Sequence, residues 1–526
     1  MHIFWTILTV FLLFLGTVFP VTAGAEVRQL RIADGRGDWG YPNPFLHYPR
    51  GPGYVRMSWI FDTLVWKDED DLIPALARRW SYDHQRQAYT FELHPEAQWH
   101  DGQPLTADDV VFTVKYYQKH PYHWISVDDI DRAEARDEHT VTIYLTRPSA
   151  PFLADIGGTM PILPRHIWKE VDDPRRFKEP RAFVGSGPFV FRDFNQARGS
   201  YLYEAFADYY QGRPVIDRLI YLRSDQPLVS LTTGQVDLAQ IRPEMTDQLR
   251  QRGFTVITDE RGWNKKLLIN HRRPPFNQRQ FRHALAHAID RQEIVDRAHR
   301  GFGVPASYGL LSVDHDMYNP DTPVYRPDPA MARQLLEDLG YRADGDGYYH
   351  RDGQPLQVEL LASPLTVGGE TAAHRDGEVI RRQLNAVGIR VKLVNQEQAT
   401  TDSRISNWNF ELAISGHGGI SGDPKILTEM ISAKHGAGSV NSARFDDNRE
   451  LNQLLTEQLT TMDPAQRRKK VHRIQELHAR ELPAIPLYYP ESAAAYNPAQ
   501  GVKWFYTRGG IGKGIPLPQN KVSLLE

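Results

Sequence analysis

Two histidines, His283 and His287, have the spacing of a metal-binding pair on one face of a helix. Residues four apart are neighbours on a helix surface, so the two imidazoles could hold one divalent ion. A zinc protease of the zincin type needs a glutamate directly after the first histidine, and Ala284 stands there instead. The pattern therefore favours a solvated or packed histidine pair over a structural metal.

Motifs for nucleophilic and phosphate chemistry are incomplete. Gly185-Ser186-Gly187 is followed by Pro188, which predicts a turn in place of the strand-to-helix elbow of a hydrolase. His417-Gly418-Gly419 is similar to an esterase oxyanion loop, but no elbow accompanies it. The glycine-rich segment 509–514 lacks the spacing and the Ser or Thr of a phosphate-binding loop. We therefore predict no catalytic residues.

The chain contains no cysteine, which rules out disulfides, thiolate metal sites and cysteine nucleophiles. We predict a protein that is not an enzyme and that has neither a cofactor nor a resident metal. The alternative is a secreted hydrolase or metal-binding protein that uses His283, His287 or His417. That alternative needs a nucleophile or a third ligand to converge with the histidines.

Aromatic residues make up 11% of the sequence, and several of them stand near predicted loops or strand ends. Each alone is more typical of a core position. Together, Trp39, Tyr41, Trp263 and Trp408 are suited to an apolar cleft with few polar anchors.

The composition sets the size of the fold and the kind of partner. A chain of 526 residues, 41% hydrophobic and 24% charged, can form two or three cores of usual domain size. The 62 basic and 65 acidic residues leave a net charge of -3, so no overall field attracts nucleic acid or an acidic membrane. We predict no nucleic-acid partner and a ligand that is recognised locally.

Residues 1–25 resemble a cleavable signal peptide. They contain no Asp, Glu, Lys or Arg, are largely apolar from Ile3 to Val21, and end in Ala23-Gly24-Ala25, a small-x-small cleavage pattern. A membrane anchor or a buried N-terminal helix is the alternative. Because no cysteine is available for lipid attachment, we predict a free protein in the periplasm.

Short β-type runs alternate with helical patterns along the mature chain, which predicts mixed α/β lobes. Thr106 is the predicted N-cap of a helix over 110–119, with two aspartates in its first turn. A strand over 482–489 could return to the first lobe. The other predicted strands cover 29–33, 88–93, 140–145, 189–191, 267–270, 356–361 and 389–394, and the other helices cover 55–65, 279–300, 329–339 and 375–387.

The segment 99–110, WHDGQPLTADDV, resembles the signature of extracellular solute-binding proteins of the oligopeptide, dipeptide and nickel family. Further similar segments follow in the family's order, among them Gly185 to Phe189, Gly422-Asp423-Pro424 and Pro486 to Tyr489. The resemblance implies an α/β periplasmic-binding-protein fold, in which two lobes close about a ligand and an extra α/β domain sits on the first lobe.

The resemblance also implies the domain boundaries. We expect a discontinuous lobe I of residues 26–56, 184–264 and 485–526, an extra domain of residues 57–183, and a lobe II of residues 265–484.

The implied pocket departs from that of peptide-binding members. In those members a segment similar to Trp-x-x-Asp precedes the Asp-Pro pair. Its acid holds the α-ammonium of the peptide. Alignment on Asp423 puts His417 at the tryptophan and Ile420 at the acid, so the expected amine anchor is missing unless Glu397 or Asp423 substitutes for it. Gln398 stands where the family often has an aromatic residue.

These departures leave several ligands open: a peptide, a modified peptide, a nickel chelate, an opine or a sugar. His417 becomes a candidate polar or metal contact. The expected ligand-binding residues are Tyr41, Trp263, Asn264, Gln398, Trp408, His417, Gly418, Ile420 and Asp423.

The function that the resemblance implies is that of the periplasmic solute-binding component of an ABC importer. Such a protein captures a small ligand by hinge closure and delivers it to permease subunits in the inner membrane. We expect a monomer. A chemosensory binding protein that passes its ligand to a receptor would share the same physics.

Overall fold

Two β-sheets, of seven and six strands, form the centres of the two halves of the protein. The computed structural model describes residues 27–259, 261–363, 366–367, 370–371, 373–436 and 439–525. The predicted signal peptide, residues 1–25, lies outside these residues. Within them, no helix is long and apolar enough to cross a membrane.

Short strands occur along the whole described chain. In chain order they are β1 Gln29–Asp34, β2 Val65–Lys67, β3 Leu72–Pro74, β4 Ala77–Asp83, β5 Ala88–Leu93, β6 Ile130–Ala135, β7 Thr140–Leu145, β8 Phe189–Asn195, β9 Ser200–Ala205, β10 Arg218–Arg223, β11 Leu238–Ile241, β12 Thr255–Asp259, β13 Trp263–Ile269, β14 Gly303–Pro305, β15 Arg342–Ala343, β16 Tyr349–Arg351, β17 Gln354–Pro355, β18 Gln357–Ala362, β19 Thr366–Val367, β20 Glu370–Thr371, β21 Arg390–Asn395, β22 Leu412–Gly418, β23 Ala484–Pro490 and β24 Ser492–Tyr496.

The α-helices follow in the same order. They are α1 Gly51–Ser58, α2 Ala107–Lys119, α3 Arg165–Trp168, α4 Pro227–Thr232, α5 Thr246–Gln251, α6 Arg279–Ala288, α7 Arg291–His299, α8 Pro329–Asp338, α9 Ala373–Ala386, α10 Gln398–Ser406, α11 Lys425–Ile431, α12 Arg449–Thr460 and α13 Pro464–Glu481. A π-helical turn covers Leu153–Gly157, and short 3-10 turns cover Pro180–Phe183, Pro243–Met245, Pro498–Gln500 and Lys521–Leu524.

The seven-stranded sheet has the order β12-β24-β11-β1-β10-β9-β8. Its centre is β1, which runs parallel to both β10 and β11. Leu30 and Ile32 alternate with polar residues along β1 and are each 1% exposed, the pattern of a strand with one face on a core.

The six-stranded sheet has the order β14-β23-β13-β22-β18-β21. Its central strand, β13, runs antiparallel to β22 on one side and to β23 on the other. Residues 264–269 of β13 are all buried, because the sheet is covered on both faces.

Two neighbouring connections join the sheets. Residues 260–262 separate β12 of the seven-stranded sheet from β13 of the six-stranded sheet, and Glu491 alone separates β23 from β24. The two connections lie side by side, since β12 pairs with β24 and β13 pairs with β23.

A smaller four-stranded sheet of order β4-β5-β7-β6 lies next to α2. The predicted cap of this helix is confirmed: Thr106 is the N-cap, and its backbone N–H donates to the Asp109 carboxylate at 2.9 Å. The helix begins at Ala107, three residues before the predicted start. A carboxylate in the first turn is favourable because it faces the positive end of the helix dipole.

Hydrophobic residues collect into one large core in each half. The first core extends from Leu30 through the four-stranded sheet to the C-terminal residues Trp504 and Leu524. The second surrounds β13 and the helices α6, α7 and α9, and a third lies beneath α11, α12 and α13. The predicted mixed α/β architecture is confirmed.

Two predicted helices are wrong in extent. The helix expected over 55–65 ends at Ser58, because the carbonyl oxygens of Trp59 and Ile60 accept hydrogen bonds from Phe189 and Gly187. The helix expected over 279–300 is divided into α6 and α7. Asp290 interrupts it, because its side chain accepts from the backbone N–H of Glu293 and caps the second helix.

The strand expected over 482–489 forms as β23 but does not return to the first half. It pairs with β13 and β14 in the six-stranded sheet, and the following strand, β24, makes the return. The hydrophobic pattern predicted the strand, whereas its sheet was decided by pairing with a strand more than 200 residues earlier.

Candidate functional site

Two strands place four polar side chains on one face of the six-stranded sheet. In the pairing of β13 with β22, Asn264 is directly opposite His417 and Lys266 is opposite Ser415. Because side chains alternate between the faces of a strand, these four lie on the same face. We call Asn264, Lys266, Ser415 and His417 the polar face.

The polar face is buried but incompletely hydrogen-bonded. Asn264 is 0% exposed and His417 is 7% exposed. Neither the amide of Asn264 nor either ring nitrogen of His417 has a hydrogen-bond partner among the described residues. Nearly all buried polar groups in folded proteins are paired, and each unpaired one costs about 1–3 kcal/mol. Such a cluster is typical of a surface that binds a ligand.

Lys266 is the charged member of the polar face. It is 1% exposed, and its Nζ lies 3.5 Å from the Met430 sulfur. Burial lowers the pKa of Lys266 to about 7. Burial and then the nearby Lys266 lower the pKa of His417 well below its usual range, so His417 is neutral. Lys266 also lies near His478, whose pKa burial lowers to about 4 and whose Nε2 has no partner within the described part of the chain.

The opposite face of the same strand brings its lysine beside an acid, although Lys265 Nζ makes no hydrogen bond among the described residues. Lys265 Nζ lies 3.9 Å from the Asp376 carboxylate, which also accepts from Tyr488 at 2.8 Å and contacts His299 at 3.1 Å. Adjacent lysines therefore have opposite environments: Lys265 faces a buried acid, and Lys266 faces the unpaired polar groups.

The C-terminal residues lie against the end of β22. A side-chain carbon at Gly418 would come within 2.7 Å of Pro516, and one at Gly419 within 3.0 Å of the Gly514 carbonyl. Ile511 and Ile515, on either side of Gly514, belong to the first core. The polar face consequently lies next to the contact between the two halves.

Ion pairs connect the two halves beside this contact. Asp155, on the π-helical turn, pairs with Lys425 on α11, and Lys513 pairs with Glu429 at 3.1 Å. A cavity of about 30 Å³ lies among these side chains and is also lined by Lys67 and Asp423. We call Asp155, Lys425, Glu429 and Lys513 the interface ion cluster.

Four of the residues expected from the sequence meet at this place. Trp263 is paired with Gly418, next to the paired Asn264 and His417. Ile420 follows closely, but its side chain is 1% exposed in a small apolar cluster with Ala306 and Tyr489. The direct ligand contact of each of these residues stays a prediction.

Tyr41 and Trp408 pack elsewhere. Tyr41 stacks on Phe183 in the first core, with ring centroids 6.0 Å apart. Trp408 lies between the guanidinium groups of Arg272 and Arg444, four residues before β22 begins. His417 is near the other end of that strand, five residues and roughly 17 Å beyond its first residue at about 3.3 Å per residue.

Gln398 begins α10, and the preceding Glu397 is exposed. Among the described contacts, neither residue touches the polar face. A substitute role of Glu397 for the missing acid and a ligand contact of Gln398 both stay predictions.

Asp423 is held by an arginine. Both of its carboxylate oxygens accept from Arg467, at 2.6 and 2.8 Å, and one also accepts from the backbone N–H of Lys425. This bidentate pair fixes the start of α11. The Asp423 charge is therefore already compensated within the protein, and a contact of Asp423 with a ligand stays a prediction.

We expect Asp423→Asn to lower the free energy of unfolding by about 3 kcal/mol, because buried Arg467 would lose its carboxylate partner. Urea denaturation of the wild type and the variant measures this difference. Asp131→Asn, which removes a half-exposed acid paired with Arg132, should change the stability little. Unchanged stability of Asp423→Asn would show that the pair is not structural.

The histidine pair on α6 has a structural role. His283 Nε2 donates to the Arg480 carbonyl at 2.7 Å, and His287 Nδ1 donates to the Arg326 carbonyl at 3.0 Å. Both rings also pack against Tyr325. In the described part of the chain, no three His, Asp or Glu side chains converge as metal ligands. The hydrolase or metalloprotein alternative is not favoured.

Lys266, Ser415 and His478 were missed in the sequence. The available signal was the pair of lysines directly before the apolar residues 267–269. Because a strand alternates its faces, a buried strand that begins with two lysines must turn one to each side of the sheet.

A family model for bacterial extracellular solute-binding proteins, family 5, middle region, matches residues 71–439. The chain belongs to this family. Its members are the solute-binding components of ABC importers, and the buried polar face beside the contact between two halves is consistent with that role.

Relatives cover most of the chain. Heme-binding protein A of Haemophilus influenzae is 26% identical over 462 residues, 82% of this chain and 81% of its own length. The dipeptide-binding protein of Escherichia coli is 27% identical over 384 residues, 67% of this chain and 69% of its own.

Solved structures establish the fold. NikZ of Campylobacter jejuni in complex with Ni(L-His) has a TM-score of 0.78 at 20% identity, covering 93% of this chain and 98% of that one. AppA of Bacillus subtilis in complex with a nonapeptide has a TM-score of 0.74 at 22% identity, with the same coverage of both chains. The predicted two-lobed periplasmic-binding-protein fold is confirmed.

Proposed function

We propose that this protein is a periplasmic receptor that encloses a small solute between its two lobes and delivers it to the permease of an ABC importer. The observation that carries the proposal is the polar face, where buried Asn264 and His417 leave four nitrogen and oxygen atoms unpaired within the described residues. A solute with complementary donors and acceptors would satisfy them.

The two lobes correspond to the two large sheets. Lobe I comprises residues 26–56, 184–259 and 492–526. Residues 57–183 form its extra domain. The pairing of β13 and β23 supports moving their residues 263–264 and 485–490 into lobe II. The hinge then includes residues 261–262 and Glu491, where two short connections can bend together.

The ligand is not a peptide bound by its free N-terminus. The position of the amine-binding acid is occupied by Ile420 in an apolar cluster, and Asp423 is paired with Arg467. A peptide-like solute without that amine, an opine or a nickel chelate fits better. Both nitrogens of neutral His417 could bind a polar group or the metal of a chelate.

Other properties follow from this function. The protein acts as a monomer in the periplasm after removal of residues 1–25, binds without catalysing a reaction, and has no nucleic-acid partner. Its second partner is the permease in the inner membrane, which recognises the surface formed when the lobes close.

Native mass spectrometry of protein purified from its own periplasm tests the proposal. We expect a bound small molecule that is lost on denaturation. When this molecule is added back at a hundredfold excess over its Kd, the free energy of unfolding should rise by about 2.7 kcal/mol. An empty protein that no peptide, opine or nickel chelate stabilises would contradict the receptor function.

A further inference from the structure

We infer that the solute enclosed at the polar face carries a carboxylate group that pairs with Lys266 and lacks a free ammonium group. This inference rests on the proposed function and specifies its substrate class. It depends on three observations: the burial of Lys266, the absence of an acid beside it within the described residues, and the orientation of the neighbouring polar groups.

Lys266 differs from the other buried lysines. Three lysines of the described chain are buried, at 1% exposure for Lys265 and Lys266 and 2% for Lys521. Lys265 lies beside Asp376 and Lys521 is paired with Asp62. Among the residues that the structure describes, Lys266 has only the Met430 sulfur within hydrogen-bonding distance, and a thioether is a weak acceptor. The fold thus supplies a carboxylate to two buried lysines and leaves the third without one.

The groups that face Lys266 have the wrong charge to compensate it. His417 on β22 and His478 on α13 are the titratable groups coupled to it, and both are bases. Ser415 is engaged with Asn441 at 3.0 Å. Because a buried ammonium is stable only when an anion or several acceptors surround it, the solute must bring the negative charge.

Asn264 and His417 define what accompanies that charge. Both lie on the same face as Lys266. Asn264 is two residues from Lys266 along β13, roughly 7 Å at about 3.3 Å per residue, and His417 is two residues from Ser415 along β22. An amide and a neutral imidazole can each donate and accept a hydrogen bond. Neither supplies the negative charge that an ammonium group requires. The solute therefore presents a carboxylate at Lys266 and neutral polar groups at Asn264 and His417.

The matched variants Lys266→Met and Lys265→Met test this assignment. Both remove a buried lysine from the same strand, but only Lys266 is on the polar face. After purification from the periplasm, we expect wild type and Lys265→Met to carry the solute and Lys266→Met to carry less than a tenth as much. Circular dichroism verifies that each variant is folded. Equal loading of folded Lys266→Met and wild type would overturn the inference.

The released solute provides a measurement that does not depend on a variant. Methyl esterification should raise its mass by one methylene for each carboxylate, and acetylation should leave its mass unchanged if it has no primary amine. A solute that is not esterified, or one that is acetylated at an amine, would overturn the inference but would leave the receptor function intact.

If the wild type is purified empty, three defined probes replace the solute. N-acetyl-dialanine has a carboxylate and no ammonium, its methyl ester has neither, and dialanine methyl ester has only the ammonium. We expect a thermal shift with the first alone, and none for Lys266→Met. A shift with only one of the esters would overturn the substrate class, whereas no shift with any probe would count against both this inference and the proposed function.

Discussion

Lys266→Met is expected to make the empty protein more stable than the wild type at pH 7, even though it removes ligand binding. The wild type must either bury an ammonium without a counter-ion or release its proton. With a pKa of about 7 in the folded protein against 10.5 for an ordinary lysine, this burial costs roughly 4 kcal/mol at neutral pH. Methionine has a similar length and needs no proton or partner.

The pH dependence of this gain has a definite sign. Between pH 7 and pH 10.5 the unfolded chain holds a proton on Lys266 that the folded protein has released, so the wild type gains stability as the pH rises. The advantage of Lys266→Met should therefore be largest at pH 7 and below and should disappear towards pH 10.5. Urea denaturation of both proteins across this range measures the difference.

Lys265→Met is the matched control and should have the opposite effect. It removes the ammonium beside Asp376, which is 0% exposed, and we expect a loss of about 3 kcal/mol. If Lys266→Met were also destabilising, Lys266 would have a partner in the empty protein, and its role as a ligand contact would have to be abandoned.

Asp155→Asn is expected to weaken solute binding by a factor of 10 to 100 without touching the polar face. Asp155 directly precedes Ile156 of the first core and pairs with Lys425 on the other side of the contact between the halves. Burial by itself raises the pKa of Asp155, but the charges of Lys425, Lys513 and Lys67 together outweigh this effect and hold the pKa below its usual range, so the group stays ionised. Without the Asp155 charge, Lys425, Lys513 and Lys67 repel one another, and this repulsion arises only while the lobes are closed.

The physical basis is a shift of the opening equilibrium. When the lobes separate, water solvates all of these charges, so the substitution destabilises the closed form selectively. A tenfold to hundredfold change corresponds to about 1.4 to 2.7 kcal/mol. Calorimetric titration with the co-purified solute gives the affinity, and small-angle scattering at a fixed solute concentration gives the fraction of closed protein.

Glu204→Gln is the control for this experiment. It removes an acid that pairs with Arg192 and Arg218 within the seven-stranded sheet, so it changes the net charge equally but does not bridge the halves. Its affinity should equal that of the wild type. An Asp155→Asn protein that binds and closes like the wild type would show that the interface ion cluster does not stabilise the closed form.

Local patterns were sufficient for most single elements. The alternation of apolar residues marked β1, β5 and β7, and Thr106 marked the start of α2. Prediction failed where a distant segment competed with the local pattern. The helix expected over 55–65 stops because the backbone of residues 187–189 takes its carbonyl groups, and no local propensity reveals that contact.

The candidate site was predictable only in part. His417 and the missing acid at Ile420 were found by comparison with a family motif. Tyr41 and Trp408 were selected as aromatic residues near loops, but such residues occur in cores as well as clefts, and these two pack away from the polar face.

The sequence by itself determined the class of protein, the alternating elements and the presence of Ile420 where the family motif has an acid, because each depends on residues close together in the chain. The tertiary structure decided which lysine lies on the polar face, that Asp423 is paired with Arg467, and where the chain crosses between the sheets. These features depend on strand register and on contacts between residues tens to hundreds of positions apart. A shift of one residue in the pairing would exchange Lys265 and Lys266, and only the packing of the whole sheet fixes that choice.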